Sequence, residues 1–214
     1  LHAVVTQTGK LFDTAMKIIG LTGGIGSGKS KALTFFKEKN IPCYQADVAG
    51  HKVLNQDPTI KKQLTSYFGS DIYVNGVLDR KALGQLVFNN PQALDYLNGL
   101  VHPAVRKDFQ EFVGQQDAPF VISEVAILFE NEGQHRYDKI ILITAPESLR
   151  IERVLERDET SKNEVHLRMK KQWPDSKKIP LADYVIENID WPETEKALRA
   201  VLSDLEDQYP AKET

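Results

Sequence analysis

Short apolar runs alternate with longer amphipathic segments along most of the 214-residue chain. Runs that are short, apolar and rich in β-branched residues are typical of buried parallel strands, and they occur at 17–22, 41–44, 120–125, 139–144 and 184–186. Segments with apolar residues at helical spacing follow several of these runs, most clearly at 29–39 and 193–209. The alternation predicts an α/β fold in which helices cover both faces of a parallel sheet.

The pattern becomes helical between residues 48 and 116, where strand signals almost vanish. Pro58 and Asp79 each stand where a helix can begin, and a longer helical segment follows Pro91. Pro103 predicts an interruption of that segment, because proline lacks the N–H that a helix interior needs. The block is too long for an ordinary crossover between two strands, so it predicts an inserted helical lobe.

Residues 1–15 show no clear helical or strand period and no secretory pattern. Met16 directly precedes the first predicted strand. We therefore expect the native start to be Met16, with residues 1–15 derived from an expression vector or from an upstream start.

Composition narrows the class of protein. Hydrophobic residues make up 41% of the chain, which is enough for a packed core. The net charge of −3 provides no global positive field, so the chain is not expected to bind nucleic acid. No apolar stretch is long enough to span a bilayer, and nothing implies an obligate protein partner. The single cysteine, Cys43, is expected to be a small buried hydrophobe, and a reducing cytoplasm is the expected location.

A glycine-rich stretch follows the first predicted strand. Gly23, Gly28, Lys29 and Ser30 match the pattern G-x-x-x-x-G-K-[ST], in the required context of strand, loop and helix. Glycines let successive N–H groups point at an anion, and the start of the next helix adds unpaired donors and partial positive charge. Lys29 can reach the β- and γ-phosphate oxygens, and the Ser30 hydroxyl can bind Mg²⁺. The motif predicts a nucleoside triphosphate site rather than a ligand-free turn.

Two acidic residues follow predicted strands. Asp47 lies just past the second strand, where a kinase needs a carboxylate to accept or orient the proton of the acceptor hydroxyl. Asp47 is also a candidate helix N-cap, and the two roles are compatible. Glu124 ends a run that is expected to neighbour the first strand, where an acid can hold Mg²⁺ or orient a water on it. An ordinary strand-end carboxylate is the alternative for Glu124.

Arg150, Arg153 and Arg157 recur at three- and four-residue spacing, so they share one face of a predicted helix. Guanidinium groups bind phosphate oxygens in a bidentate manner and neutralise charge during phosphoryl transfer. The alternative is a solvated helix face, on which the arginines pair with Glu152 and Glu156. The phosphate loop elsewhere in the chain favours a functional role for at least one arginine.

Taken together, these motifs resemble those of the dephospho-coenzyme A kinase family, and the resemblance covers residues 16 to about 209. They are, in chain order, the phosphate loop at 20–30, the aspartate-containing turn at 45–47 followed by His51, the His-Pro element at 101–106, the acid-plus-Leu-Phe-Glu element at 124–130, the charged helix at 150–158 with 168–172, and the segment 182–188.

The chain departs from the family pattern at several positions. Gln45 stands where many members have a first aspartate, which leaves Asp47 as the base. Glu124 replaces a frequent aspartate, and Lys31 stands where threonine commonly follows the motif serine. Ala126-Ile127 replaces a more usual Pro-Leu pair. No departure removes a required chemical group.

The resemblance implies a P-loop NTPase-type core at 16–47, 117–146 and 180–209, with an acceptor-binding lobe at 48–116 and a mobile helical lid at 147–179. It implies transfer of the γ-phosphoryl group of ATP to the ribose 3′-hydroxyl of dephospho-coenzyme A, with Mg²⁺. The implied contacts to the triphosphate are Gly24, Gly26, Ser27, Gly28, Lys29, Ser30 and Lys31.

The resemblance also implies roles for individual side chains. Lys29, Arg153 and Arg157 would stabilise charge, and Asp47 would act as the base. Ser30 and Glu124 would hold Mg²⁺. The acceptor would be held by His51, His102 and Arg106.

Two other functions fit the phosphate loop. One is a P-loop kinase that acts on a nucleoside, a nucleotide or another small metabolite, and a substrate panel would separate it. The other is a nucleotide switch that hydrolyses slowly and signals to a partner. No N-K-x-D guanine motif follows the loop, which argues against the switch.

Overall fold

Within the described residues, the strands form one five-stranded sheet and one small hairpin. The computed structural model describes residues 16–88 and 90–211, so the prediction for residues 1–15 lies outside the described residues. In chain order the strands are β1 (Lys17–Thr22), β2 (Cys43–Gln45), β3 (Tyr73–Val74), β4 (Val77–Leu78), β5 (Phe120–Glu124), β6 (Lys139–Thr144) and β7 (Tyr184–Glu187).

Helices occupy most of the remaining described chain. In chain order they are α1 (Lys29–Glu38), α2 (Ala46–Gln56), α3 (Pro58–Phe68), α4 (Arg80–Phe88), α5 (Pro91–Gly114), α6 (Glu147–Arg157), α7 (Lys162–Lys170), α8 (Asp175–Lys178) and α9 (Trp191–Gln208). Asp79 caps α4 as predicted, because its Oδ1 accepts the backbone N–H groups of Lys81 and Ala82. No helix of residues 16–88 and 90–211 combines the length and apolar character that a membrane crossing needs.

The main sheet has the order β2-β5-β1-β6-β7, which puts β1 at its centre. β1 runs parallel to both β5 and β6, and β6 runs parallel to β7. Successive residues of β6 point to opposite faces of the sheet and enter two different apolar clusters. Ile141 packs with residues of α1 and α9, and Ile140 packs with Leu128 and Phe129. Burial on both faces explains why β1, β5 and β6 read as continuous apolar runs, and it confirms the predicted α/β class.

The chain divides into two compact units. The described parts of Leu1–Tyr44 and Gln116–Thr214 form the first unit, which holds most of the main sheet. Gln45–Gln115 forms the second unit, whose apolar cluster comprises Val53, Ile60, Leu64, Ile72, Leu78 and Leu83.

Pro103 does not interrupt its helix, so that prediction was wrong. α5 runs without a break from Pro91 to Gly114, with Pro103 inside it. Leu100 before the proline and Ala104 after it both pack on the apolar cluster of the second unit. This packing on both sides holds the helix together although one backbone hydrogen bond is lost.

The second unit also contains a hairpin that the sequence analysis missed. β3 and β4 pair antiparallel across Asn75 and Gly76, which have φ angles of 52° and 79°. Asn-Gly is the dipeptide that favours a two-residue turn with both φ angles positive. The signal was therefore present in a segment that was predicted to lack strands.

Candidate active site

The predicted phosphate loop connects the end of β1 at Thr22 to the start of α1 at Lys29. Gly26 and Gly28 have φ angles of 78° and 97°, a left-handed conformation that other residues adopt only with strain. Gly28 is the N-cap of α1, and among the described residues no side chain caps this helix end. An uncapped helix start preceded by a glycine-rich turn is the arrangement that binds phosphate.

Neighbouring segments press closely on the loop. A Cβ added to Gly26 would lie 2.9 Å from both the Cα and the carbonyl carbon of Arg150, and closer still to its carbonyl oxygen. A Cβ on Gly28 would overlap Nδ2 of Asn188. Glycine is therefore required at both positions, because the φ angle is positive and because no space remains for a Cβ.

Asn188, directly after β7, holds the loop from one side. Its Nδ2 donates to the carbonyl oxygen of Ser27 at 2.8 Å, and its Oδ1 accepts the Thr194 hydroxyl at 3.0 Å. Its own N–H donates to the carbonyl oxygen of Thr144, at the end of β6. The sequence analysis gave Asn188 no role, although a polar residue at the carboxyl end of a parallel strand is a recognisable signal.

Arg150 holds the loop from another side, and it is the arginine that the sequence analysis left out of its catalytic set. Its Nε donates to the carbonyl oxygen of Ile25 at 2.9 Å, and its side chain is only 9% exposed. Asp175 Oδ2 lies 3.4 Å from Arg150 Nη1. A Cβ on Gly24 would overlap this guanidinium, so the positive charge lies directly against the loop.

The two arginines that were predicted to be catalytic have other contacts. Arg153 donates through Nη1 to the carbonyl oxygen of Asn188 and through Nη2 to that of Ile189, each at 3.0 Å. Arg157 is exposed and forms a two-pronged ion pair with Asp158. The hydrogen bond from Arg157 is the main cause that lowers the pKa of the Asp158 carboxyl. Their catalytic role stays a prediction.

The start of α1 carries the remaining predicted contacts to the triphosphate. Lys29 is partly buried and Ser30 is exposed. Lys31 has its ammonium 4.1 Å from the centre of the Trp191 ring, which is a cation–π contact. Ser27 is fully buried, and its hydroxyl has no hydrogen-bond partner within the part of the chain that the structure describes. Such an unsatisfied polar group fits a loop that is built to receive a polar ligand.

Glu124 is buried at the end of β5, opposite Leu21 of β1 in the strand register. This confirms that the predicted strand neighbours β1. Residues 16–88 and 90–211 contain no group of three or more His, Cys, Asp and Glu side chains that could hold a metal ion, at Glu124 or elsewhere. A single carboxylate and a serine hydroxyl match the way Mg²⁺ is usually held, with substrate phosphates and waters completing its shell.

The second unit carries the predicted acceptor-binding residues and Asp47. Asp47 lies in the first turn of α2, whose N-cap is Gln45, so Asp47 is not the N-cap. Asp47 and His51 are four residues apart on α2, and His102 and Arg106 are four residues apart on α5, so each pair shares a helix face.

The two helices that carry these pairs pack together within the second unit. A Cβ on Gly50 of α2 would lie 3.9 Å from Val105 and 4.0 Å from Val101 of α5. An ion pair of 2.9 Å joins Lys52 to Asp108. The two helix faces therefore belong to neighbouring helices.

A parallel sheet whose first strand leads through a glycine loop into a helix start is the arrangement of a P-loop nucleotide-binding core. Comparison with known proteins assigns the chain to one family within this class. A sequence model of the family described as dephospho-CoA kinase matches residues 17–192. The chain belongs to this family, which confirms the resemblance seen in its motifs.

Individual relatives agree with this assignment. The dephospho-CoA kinase of Idiomarina loihiensis is 36% identical over 172 residues, which cover 80% of this chain and 85% of that protein. The dephospho-CoA kinase of Lactobacillus acidophilus is 37% identical over 176 residues, which cover 80% of this chain and 88% of that protein.

Solved structures also match. The crystal structure of TT1252 from Thermus thermophilus superposes with a TM-score of 0.81 at 35% identity, over 89% of this chain and 98% of that one. The dephospho-CoA kinase from Campylobacter jejuni gives a TM-score of 0.58 at 25% identity, over 90% of this chain and 98% of that one.

Proposed function

We propose that this protein transfers the γ-phosphoryl group of ATP to the ribose 3′-hydroxyl of dephospho-coenzyme A, which yields coenzyme A and ADP. The observation that carries the proposal is the glycine loop at the uncapped start of α1, pressed against the Arg150 guanidinium, in a chain of the dephospho-CoA kinase family. A reducing cytoplasm is the proposed location, since the chain has one cysteine.

The loop and the first turn of α1 would bind the triphosphate. Backbone N–H groups of this segment would donate to the phosphate oxygens, in the field of the helix dipole. Lys29 would follow the β- and γ-phosphates as a mobile charge, and Arg150 would add fixed positive charge beneath the loop. Because phosphoryl transfer depends mainly on positioning and charge neutralisation, these groups would supply most of the catalysis.

Ser30 and Glu124 would hold Mg²⁺. When bound, the ion supplies charge neutralisation on the phosphate oxygens. Both residues adjoin the segment that would bind the triphosphate: Ser30 lies in the first turn of α1, and Glu124 ends the strand beside β1.

The second unit would supply the acceptor side of the reaction. Asp47 would accept or orient the proton of the 3′-hydroxyl. His51, His102 and Arg106 would hold dephospho-coenzyme A, with the Arg106 guanidinium suited to its phosphate groups.

Within the predicted lid at 147–179, Arg150 and Gln172 already hold the loop, so the segment from Arg157 through α7 would act as the moving part. Its closure would exclude water, which otherwise competes with the hydroxyl for the γ-phosphoryl group.

The test measures ADP formation with ATP and Mg²⁺, in the presence and in the absence of dephospho-coenzyme A. We expect rapid ADP release only with this acceptor. The product should carry the transferred phosphate on its ribose 3′ position. A panel of nucleosides, nucleotides and small alcohols serves as the comparison. Faster turnover with any of those acceptors would overturn the assignment of the substrate.

A second test addresses Asp47. We expect Asp47→Asn to lower kcat by about 10²- to 10⁴-fold, the range that general base catalysis usually contributes, while ATP binding is retained. Asp95→Asn is the matched control, because Asp95 is also exposed on a helix of the second unit and loses the same charge. Equal turnover in the two variants would exclude Asp47 as the base.

A further inference from the structure

Ile25 lies in the phosphate loop, and side chains from later in the chain bind both of its backbone polar groups. Its N–H donates to Oε1 of Gln172 at 2.8 Å, and its carbonyl oxygen accepts Nε of Arg150 at 2.9 Å. The N–H belongs to the peptide plane before Ile25 and the carbonyl to the plane after it. The two bonds therefore fix the orientation of two consecutive peptide planes of the loop.

Gln172 is itself held in one orientation. Its Nε2 donates to the carbonyl oxygen of Ala126 at 3.1 Å, while its Oε1 accepts the Ile25 N–H. An amide that has one fixed donor contact and one fixed acceptor contact cannot turn over without losing both bonds. Gln172 thereby connects the phosphate loop to the turn that follows β5.

The segment that carries Gln172 is anchored by a buried ion pair. We call residues 172–178 the bracket. Lys178, at its end, is fully buried, and its Nζ lies 2.8 Å from Oε1 of Glu130. The same carboxylate oxygen accepts the N–H of Trp173 at 2.8 Å. Since a buried charge is strongly destabilising without its partner, this pair opposes any displacement of the bracket.

The bracket also reaches the other side chain that binds Ile25, because Asp175 Oδ2 lies 3.4 Å from Nη1 of Arg150. Both groups that bind the Ile25 backbone are thus connected to one short segment, which Ala126 and Glu130 of the turn after β5 hold in place. None of these contacts uses a side chain of the motif G-x-x-x-x-G-K-[ST].

We propose that Gln172 is a positioning residue, which holds the phosphate loop in its receiving shape before the nucleotide arrives. The inference rests on the proposed use of ATP. A preformed loop binds its ligand more tightly than a flexible one, because it loses less conformational entropy when the ligand binds. Loss of the Gln172 amide should therefore weaken ATP binding and leave acceptor binding unchanged.

The test replaces Gln172 by methionine, which keeps the length of the side chain and removes its amide. We expect Gln172→Met to raise both the Kd and the KM for ATP about tenfold, a factor that corresponds to about 1.4 kcal/mol, with the KM for dephospho-coenzyme A unchanged. Gln110→Met, at an exposed position of α5, is the matched control and should leave all three constants at the wild-type values. An ATP Kd for Gln172→Met equal to that of the control would overturn the proposal.

A measurement on the unaltered protein keeps the proposal testable if Gln172→Met fails to fold. Amide hydrogen exchange of the nucleotide-free protein should show the Ile25 N–H to be protected, because it is bonded to Gln172. Exchange at the rate of an open loop amide would overturn the proposal.

The ATP titration needs no acceptor, so it separates this inference from the proposed function. Wild-type protein that binds ATP but does not phosphorylate dephospho-coenzyme A would reject the function. Weaker ATP binding by Gln172→Met would then still support the role of Gln172. Wild-type turnover combined with unchanged ATP binding in Gln172→Met would reject the inference alone.

Discussion

Gly26 offers the sharpest test of the loop geometry. Replacement by alanine places a Cβ 2.9 Å from the Cα and the carbonyl carbon of Arg150, and closer still to its carbonyl oxygen. These are backbone atoms, so no side-chain rotation can relieve the overlap. Ordinary contacts begin at 3.4 Å, so the two carbons alone require the loop and α6 to separate by about 0.5 Å, and the closer carbonyl oxygen requires more.

The magnitude has two parts. Alanine at the Gly26 φ angle of 78° costs roughly 1–2 kcal/mol. The forced backbone shift adds about 1–3 kcal/mol. We therefore expect Gly26→Ala to lower the free energy of unfolding by roughly 2–5 kcal/mol. Because misplacement on the ångström scale disturbs the bound triphosphate, kcat/KM for ATP should fall by up to about 10²-fold.

Two other glycines separate the causes. Gly76 has nearly the same φ angle, 79°, but no atom of the described residues lies within 4 Å of its added Cβ, so Gly76→Ala reports the backbone strain alone. Gly84 lies within α4, and its added Cβ likewise meets no atom of the described chain within 4 Å, so Gly84→Ala should stabilise by about 0.5–1 kcal/mol.

The assay is denaturant unfolding of the three variants without nucleotide, followed by ATP titration. Gly26→Ala should be the least stable of the three and the only one that binds ATP more weakly. If Gly26→Ala matches Gly76→Ala in both measurements, the close contact between the loop and α6 is not present in solution.

The remaining predictions concern three side chains around the core and the lid. Lys178→Met should lower the free energy of unfolding by roughly 3–5 kcal/mol, because it leaves the Glu130 carboxylate buried without its partner. A double variant with Glu130→Leu should recover much of this loss. Equal losses in the single and the double variant would contradict the buried pair. Burial raises the pKa of the Cys43 thiol to about 12, so a disulfide reagent at pH 8 should label the native protein slowly and the unfolded protein fast, and fast native labelling would contradict the burial. The same shift means that Cys43 holds its proton more tightly when folded, so stability should fall as the pH rises above about 8.5, the value of an exposed thiol. Arg157→Ala should lower kcat/KM about tenfold without a change in the unfolding midpoint, if the lid arginine neutralises phosphate charge; unchanged kcat/KM would favour the solvated helix face.

Local patterns were enough to predict much of the fold. β1 and β6 have the predicted bounds, because each is a short apolar run that is buried on both faces. The phosphate loop was also predictable, since all of its requirements lie within one short stretch of chain. Two local rules failed: Pro103 lies inside a continuous helix, and the Asn75-Gly76 turn joins two short strands that were not predicted.

The contacts that shape the candidate site were harder to predict, because they join distant parts of the chain. The Ile25–Gln172 bond spans 147 residues and the Arg150–Ile25 bond spans 125. Helical spacing placed Arg150 on a face with Arg153, but spacing alone does not say which side chain meets the loop. The family-like segment 168–172 includes Gln172, but no local pattern predicts that its amide meets the loop.

The position of β1 has a consequence for how the protein is made. A ribosome synthesises β1 and the glycine loop before the two segments that pair with β1, which are Phe120–Glu124 on one side and Lys139–Leu142 on the other. The whole of Gln45–Gln115 is synthesised before either neighbour exists. The nascent chain must therefore keep an apolar central strand unpaired while an entire helical unit emerges, which makes that interval the one most exposed to misfolding and to capture by chaperones.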